Sequence, residues 1–144
     1  MKKIICLVAV ALMIASVAYA QKTMKIAAKD LAGLKGNWEG VLSFGVFEGG
    51  GTSAAKLEIL NDTVPVKAKL TISQVPDQIA RQIGVMGGQN VFESDDGIIT
   101  TQGTLMFTGK QPKNFFEVSL AGEKKLKTWY YFQGLRGDAT LKKK

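Results

Sequence analysis

The sequence predicts an all-β fold, an eight-stranded antiparallel up-and-down barrel with a short N-terminal helical turn. Apolar and polar residues alternate with a period of two in eight successive stretches, which indicates strands. Mostly short turns rich in Gly, Asp, Asn or Pro join these stretches. Because no helical crossover pattern separates them, neighbouring strands should pair antiparallel. A two-sheet sandwich would show the same period and stays as the alternative.

The first strand carries the clearest pattern, from Trp38 to Phe47. One face would hold Trp38, Gly40, Leu42, Phe44 and Val46, and the other Glu39, Val41, Ser43, Gly45 and Phe47. A bulky indole at a strand start, between Gly36 and Gly40, predicts a plug at the closed end of a small barrel. Residues 30–35 predict one helical turn that covers this end.

Seven further strands complete the predicted barrel. They are expected at residues 53–61, 65–75, 89–94, 98–108, 115–120, 125–133 and 138–142. Residues 95–97, Asp-Asp-Gly, are interpreted as a tight turn between two of them. Residues 76–90 break the pattern, with Asp77 placed to cap a helical turn that holds Ile79 and Ile83. We expect this stretch to lie over the open mouth of the barrel as a lid.

The N-terminal residues have the three parts of a secretory signal peptide. These are a positive start at Lys2 and Lys3, an apolar run over residues 4–15, and an A-x-A site at residues 18–20. We therefore predict a signal peptide at residues 1–20 and a barrel domain at residues 21–144, with the mature start near Gln21. No lipid anchor is expected on the mature protein. The protein would be periplasmic or secreted, and an uncleaved membrane anchor is the alternative.

The charge balance is basic, with 19 Lys and Arg against 12 Asp and Glu and a net charge of +7. The cations are spread along the chain, and the cluster at residues 142–144 is interpreted as a solvated, frayed terminus. Nucleic acid is not expected as a partner of an exported protein. Weak contact with anionic membrane surfaces stays open.

The residue types exclude most catalytic chemistry. The chain has no histidine, and its one cysteine, Cys6, lies in the predicted signal peptide. A Ser-His-Asp triad, a thiol nucleophile and the common zinc, copper and haem ligands are thereby excluded. Glu93, Asp95 and Asp96 match no calcium-loop spacing and are interpreted as a solvated hairpin. We predict that the protein is not an enzyme, uses no cofactor and has no metal site.

Three short stretches resemble the lipocalin-like, or calycin, superfamily. Gly36-Asn37-Trp38 resembles the G-x-W signature that opens the family's first strand. Thr128-Trp129-Tyr130 distantly resembles the family's T-D-Y element, but the Asp is absent. Arg136, at the start of the last strand, resembles the arginine that lies across the family's tryptophan. The resemblance implies a calycin-like barrel that is closed at its base by a cation–π pair of Trp38 and Arg136.

The interior of such a barrel is just wide enough to be filled by its own side chains or to hold one small ligand. The candidate ligand-binding residues are Phe44, Thr101, Phe107, Phe116, Thr128 and Tyr130. Tyr130 would give an otherwise apolar pocket one hydrogen-bonding group. In the alternative, Tyr130 bonds a backbone carbonyl and the core is full.

Two functional hypotheses follow. The first is an exported lipocalin-like barrel that binds a small hydrophobic or amphipathic ligand in its interior. The alternative is a protein-binding barrel with a filled core, such as a periplasmic inhibitor or an envelope factor. Its partner would contact either the loop around Val85 and Met86 or a set of outward apolar residues. That set is Val41, Phe47, Phe115, Trp129 and Tyr131.

Overall fold

The structure, a computed structural model, describes residues 23–45, 51–84, 88–109, 114–132 and 134–144. Its strands are β1 (Gly36–Phe44), β2 (Thr52–Ile59), β3 (Val66–Ser73), β4 (Gln89–Ile99), β5 (Leu105–Thr108), β6 (Phe115–Gly122), β7 (Lys125–Phe132) and β8 (Leu135–Lys143). Each strand pairs with the next along the chain, and β8 pairs with β1, so the sheet is a closed barrel. The predicted up-and-down barrel is confirmed. The predicted signal peptide and Phe47 lie outside the described residues.

The barrel closes along most of its last strand. The register of β1 with β8 runs from Trp38 opposite Lys143 to Phe44 opposite Gly137. The last residue continues this contact, since the Lys144 amide donates to the Asn37 carbonyl at 3.0 Å. The prediction of a frayed basic terminus is therefore wrong. Closure without a free edge requires the terminal residues to form the seam of the sheet.

The connection between β4 and β5 differs from the sequence prediction. Residues 95–97 do not turn the chain, because β4 continues through them to Ile99. The register with β3 shifts in this region, so the Asp-Asp-Gly segment is absorbed as a bulge. The hairpin turn instead lies at residues 100–104, inside the strand predicted at residues 98–108. The barrel still has the predicted eight strands, because the turn at residues 100–104 takes the place of the turn predicted at residues 95–97.

The segment before β1 closes one end of the barrel, here called the base. Met24 forms a bridge with Leu120 at the end of β6, and the Ile26 amide donates to the Gly103 carbonyl at 2.8 Å. A 3-10 turn (Ala28–Asp30) then leads into a short helix, α1 (Leu31–Leu34), whose two leucines are buried. The predicted helical turn before β1 is confirmed, and its apolar face joins the core.

A second helix covers the opposite end, here called the mouth. Helix α2 (Asp77–Ile83) connects β3 to β4 and ends at Gly84, whose φ of 69° is the left-handed conformation that glycine favours. Ile79 and Ala80 are buried in the same core as the strands, and Pro76 packs closely against Gly51 before β2. The predicted helical turn is present, although Asp77 lies inside the helix and makes no cap. Residues 85–87, with Val85 and Met86, lie outside the described residues.

Candidate functional site

Five aromatic rings from β4, β5, β6 and β7 meet inside the barrel. They are Phe92, Phe107, Phe116, Tyr130 and Phe132. The rings of Phe107 and Phe116 stack at 4.4 Å, and Phe92 meets Phe116 edge to face at 5.1 Å. These rings alternate with outward residues on each strand, so the period-two pattern is what brings them together.

Tyr130 carries the polar group of this cluster, its phenol hydroxyl. Its side chain is fully buried, and its phenol oxygen accepts a hydrogen bond from the Asn90 side-chain amide across the barrel. Burial raises the pKa of the Tyr130 phenol above its ordinary value, so the group is neutral near pH 7. The sequence offered either a ligand or a backbone carbonyl as the partner of Tyr130; the structure supplies a side-chain amide.

The other predicted site residues divide into two groups. Phe44, Phe107, Phe116 and Thr128 are buried on inward positions, as the alternation predicts. Thr101 is exposed in the turn between β4 and β5, so its assignment to the interior is wrong. The error has the same cause as the misplaced turn, since the alternation was extended through residues that leave the strand.

The centre of the barrel is tightly packed. A Cβ atom on Gly137 would lie 2.8 Å from the Leu42 side chain, so leucine already occupies that space. In the same way the buried Phe107 ring covers Gly97 on β4. The glycines on these strands therefore leave room for large side chains from other strands, and those side chains fill the interior of the barrel.

A cleft opens between β4 and β5 on the side towards the mouth. The two strands pair only at Ile98 with Met106 and at Ile99 with Leu105. Above these pairs they diverge and leave a cleft of about 440 Å³. Its lining consists of Asn90, Val91, Phe92, Glu93, Gly109, Asn114 and Phe132. The cleft thus reaches two rings of the interior cluster and the amide that holds Tyr130.

Asp96 fastens β4 to β5 at the lower edge of this cleft. Its Oδ1 atom accepts hydrogen bonds from the Ser94 hydroxyl at 2.5 Å and from the Thr108 amide at 3.2 Å. Its Oδ2 atom accepts a hydrogen bond from the Thr108 hydroxyl. The hydrogen bonds from Ser94 and Thr108 lower the pKa of the Asp96 carboxyl below its ordinary value. A side chain thereby replaces the backbone ladder where the strands separate.

Replacement of Asp96 by asparagine should lower the free energy of unfolding by about 1 kcal/mol at pH 7, a small value because the carboxylate is exposed. A depressed folded-state pKa means that this stabilisation is present above the ordinary value of 3.8 and is lost as the pH falls through the folded-state pKa. Urea unfolding of both proteins from pH 7 to pH 2 would measure it. The difference should shrink on acidification, and Asp95→Asn, at the exposed neighbouring position, should differ little from the parent at pH 7.

The predicted pair of Trp38 and Arg136 does not form. The two residues lie at opposite ends of the barrel and on opposite faces of the sheet, since Trp38 points inward at the base and Arg136 points outward towards the mouth. The Arg136 guanidinium carbon instead lies 4.1 Å from the centroid of the Trp129 ring. The cation near Trp38 is Lys143, whose Nζ atom lies 5.4 Å from the ring centroid.

Trp38 is nevertheless the plug of the base. Its side chain is fully buried, and its Nε1–H donates to the Leu34 carbonyl at 2.8 Å. The bond satisfies a carbonyl at the end of α1, which has no partner within so short a helix. The Lys143 ammonium group donates to the Gly33 carbonyl at the same helix. The predicted position of the indole is confirmed, while its predicted partner is wrong.

Comparison with family models, with curated proteins and with solved structures finds no match for this chain. The similarity to lipocalin-like barrels therefore stays a prediction that rests on the residues quoted above. Within the described residues, the two helices are too short to span a lipid bilayer.

Proposed function

We propose that the protein is a small-molecule-binding barrel that takes an apolar or amphipathic molecule at its mouth, through the cleft between β4 and β5. The observation that carries this proposal is the combination of surfaces in the cleft. Phe92 and Phe132 line the opening with aromatic rings, and Asn90 and Asn114 line it with polar side chains. A mostly apolar wall with a few placed polar groups is typical of ligand sites.

The size of the cleft supports a small ligand. About 440 Å³ lies within the range of roughly 300–1,000 Å³ that is common for ligand pockets. Burial of apolar ligand surface would supply most of the affinity, at roughly 25 cal/mol per Å² before the ordering costs. The packed centre limits how deep a ligand can reach, so we place it at the mouth rather than along the barrel axis. None of the predicted ligand-binding residues lines this cleft; Phe116 and Tyr130 lie behind Phe92, whose ring contacts both of theirs.

The proposal includes the cellular setting that the sequence predicts. An exported, periplasmic or secreted barrel of the lipocalin-like kind would carry or sequester its ligand outside the cytoplasm. Neither a cofactor nor a catalytic group is part of this proposal. The hydrogen bond from Asn90 to Tyr130 supports it further, because a neutral hydrogen-bonded pair can orient the polar end of an amphipathic molecule without a buried charge.

Titration with anilinonaphthalene sulfonate, an apolar fluorescent anion, tests the cleft directly. We expect bound fluorescence and a native mass spectrum with one probe per chain. Asn90→Leu and Phe92→Leu should each weaken binding several-fold to about tenfold, because they remove an amide or part of an aromatic wall. Asn37→Leu changes the same residue type on the outer face of β1 and should bind like the parent.

The same titration can overturn the proposal. The thermal unfolding midpoint of each variant is measured first, so that binding is compared only between folded proteins. If Phe92→Leu binds the probe as the parent does while Trp129→Ala does not, the probe occupies the outer surface and the cleft is not a ligand site. If the parent protein binds neither this probe nor a fluorescent fatty acid, the cleft is likewise not a ligand site.

A protein-binding barrel with a filled core is the second candidate. The packing of Leu42 against Gly137 and of Phe107 against Gly97 favours it, because these contacts leave little space at the centre. The outward residues Trp129, Tyr131 and Phe115 favour it as well, since aromatic side chains on a surface are typical of interfaces. A pull-down from the envelope fraction with the parent and with Trp129→Ala separates this role from ligand carriage.

A further inference from the structure

The outer surface of β7, β8 and β1 combines an exposed tryptophan with a group of cations. We call this surface the Trp129 face, and it is defined by Val41, Lys125, Lys127, Trp129, Arg136 and Lys142. Trp129 is 48% exposed and Val41 is 57% exposed. The Arg136 guanidinium stacks on the indole and holds one side of the ring in place. A stacked pair of Phe115 and Tyr131, 5.3 Å apart, adjoins it on β6 and β7.

Trp129 and Lys127 stand as a ridge between two surface depressions. On one side a groove of about 880 Å³ crosses β7, β8 and β1. On the other side a depression of about 400 Å³ runs between Thr23, Glu117 and the turn that contains Gln102. Lys127 and Trp129 line both. An exposed indole that is flanked by concave surface is typical of the centre of a protein interface.

The larger groove has an excess of positive charge. Four of its lining residues are cationic and two are carboxylates. Both carboxylates already have partners, since Asp138 pairs with Arg136 at 3.0 Å and Glu39 pairs with Lys144 at 3.1 Å. Within the described part of the chain, Lys125, Lys127 and Lys142 form no ion pair with a carboxylate.

The lysines are also placed against one another. Lys125 and Lys142 are direct cross-strand partners, so their charges lie opposite each other on the same face. Lys127 follows two residues along β7 and points the same way. Like charges in this arrangement repel and destabilise the free protein. An anionic group bound between them would relieve the repulsion.

We propose that the Trp129 face binds an acidic segment of another polypeptide, with Trp129 as the apolar anchor and Lys125, Lys127 and Lys142 as the charge partners. The interspersed carboxylates favour this occupant. The ion-paired Glu39 and Asp138 interrupt the row of lysines, so a peptide with separated carboxylates matches the groove better than a continuous phosphate backbone. The groove is shallow, and its mixture of lysines and carboxylates suits separated carboxylates better than a uniformly anionic lipid surface. This surface lies away from the cleft, so the inference does not rest on the ligand site.

A fluorescently labelled peptide of alternating glutamate and leucine is the probe, and its matched control has glutamine in place of glutamate. We expect the acidic peptide to bind the folded, full-length domain and the neutral peptide to bind much more weakly. Affinity should fall as salt is raised, because screening weakens exposed charge pairs. Anionic phospholipid vesicles and a single-stranded oligonucleotide form two parallel arms of the experiment.

Two matched sets of variants locate the site. Lys125→Gln combined with Lys142→Gln, and separately Trp129→Ala, should each weaken peptide binding about tenfold or more. Lys29→Gln combined with Lys67→Gln removes the same charge from two exposed positions outside both this groove and the cleft, and should change binding less than threefold. Anilinonaphthalene sulfonate binding should be the same in all of them, which keeps this test separate from the ligand proposal.

Three results would overturn the inference. The first is equal loss of affinity in both double lysine variants, which would mean that only net charge matters. The second is unchanged peptide binding in Trp129→Ala with the fold intact. The third is tighter binding of the vesicles or the oligonucleotide than of the acidic peptide, in which case the face would serve a membrane or a nucleic acid.

Discussion

Replacing Trp38 by alanine should lower the free energy of unfolding by about 3–5 kcal/mol, the usual cost of removing a large buried aromatic side chain. The indole is fully buried at the base, where it packs with the apolar residues of α1. The change also leaves the Leu34 carbonyl without its hydrogen-bond donor, which is 2.8 Å away in the parent. Urea unfolding followed by circular dichroism would measure the loss.

Two variants give this prediction its controls. Trp38→Phe keeps most of the buried area and loses the hydrogen bond, so its cost should lie between those of the parent and of alanine. Trp129→Ala removes the same residue type from an exposed position and should cost about 1 kcal/mol or less, most of it from the contact with Arg136. Equal losses for Trp38→Ala and Trp129→Ala would show that the indole at the base is not a structural plug.

The base of the barrel was the part most accessible to sequence reasoning. Strand alternation from Trp38 onwards and a helical turn between Asp30 and Leu34 are local signals, and the structure contains both. Closure could be inferred as well, because strands joined in order by short turns leave two edges that must be covered. The inward positions of Phe107, Phe116 and Tyr130 follow from the same alternation.

The strand register and the partners of individual side chains could not be predicted from the sequence. The Asp-Asp-Gly sequence at residues 95–97 is compatible with either a tight turn or a β-bulge. Only the pairing of β4 with β3 shows that it forms a bulge. Arg136 was assigned to Trp38 through a family resemblance. Its outward position on β8, opposite Tyr131, gives it Trp129 instead. One residue of phase along a strand changes the face on which a side chain lies.

The candidate site was found only in part for the same reason. Phe116 and Tyr130 were predicted, but Asn90 and Phe92 were not, because no inward face was assigned to the short strand predicted at residues 89–94 that contains them. The signal was present in the inward alternation of Asn90, Phe92 and Ser94. The divergence of β4 from β5 has no local signature, since it depends on the two-residue overlap between the strands.

Replacing Gly40 by alanine should cost about 3 kcal/mol, the upper part of the usual range for overpacking. A Cβ atom at this position would lie far inside van der Waals contact distance of the Thr140 carbonyl oxygen and 3.0 Å from the Leu141 side chain. The carbonyl belongs to the backbone of β8 and cannot turn away, so β1 and β8 must separate along the seam that closes the barrel. The reduced flexibility of an unfolded chain with alanine offsets this cost by less than 1 kcal/mol.

Gly33→Ala is the matched control for Gly40→Ala. Gly33 lies in α1, and no other atom is within 4 Å of the Cβ atom that alanine would add. Alanine favours helix over glycine by up to about 1 kcal/mol, so this variant should be as stable as the parent or slightly more stable. Thermal and urea unfolding of both variants would compare the two sites. A Gly40→Ala protein as stable as Gly33→Ala would mean that β1 and β8 can separate without loss, and that the seam contributes little to the barrel.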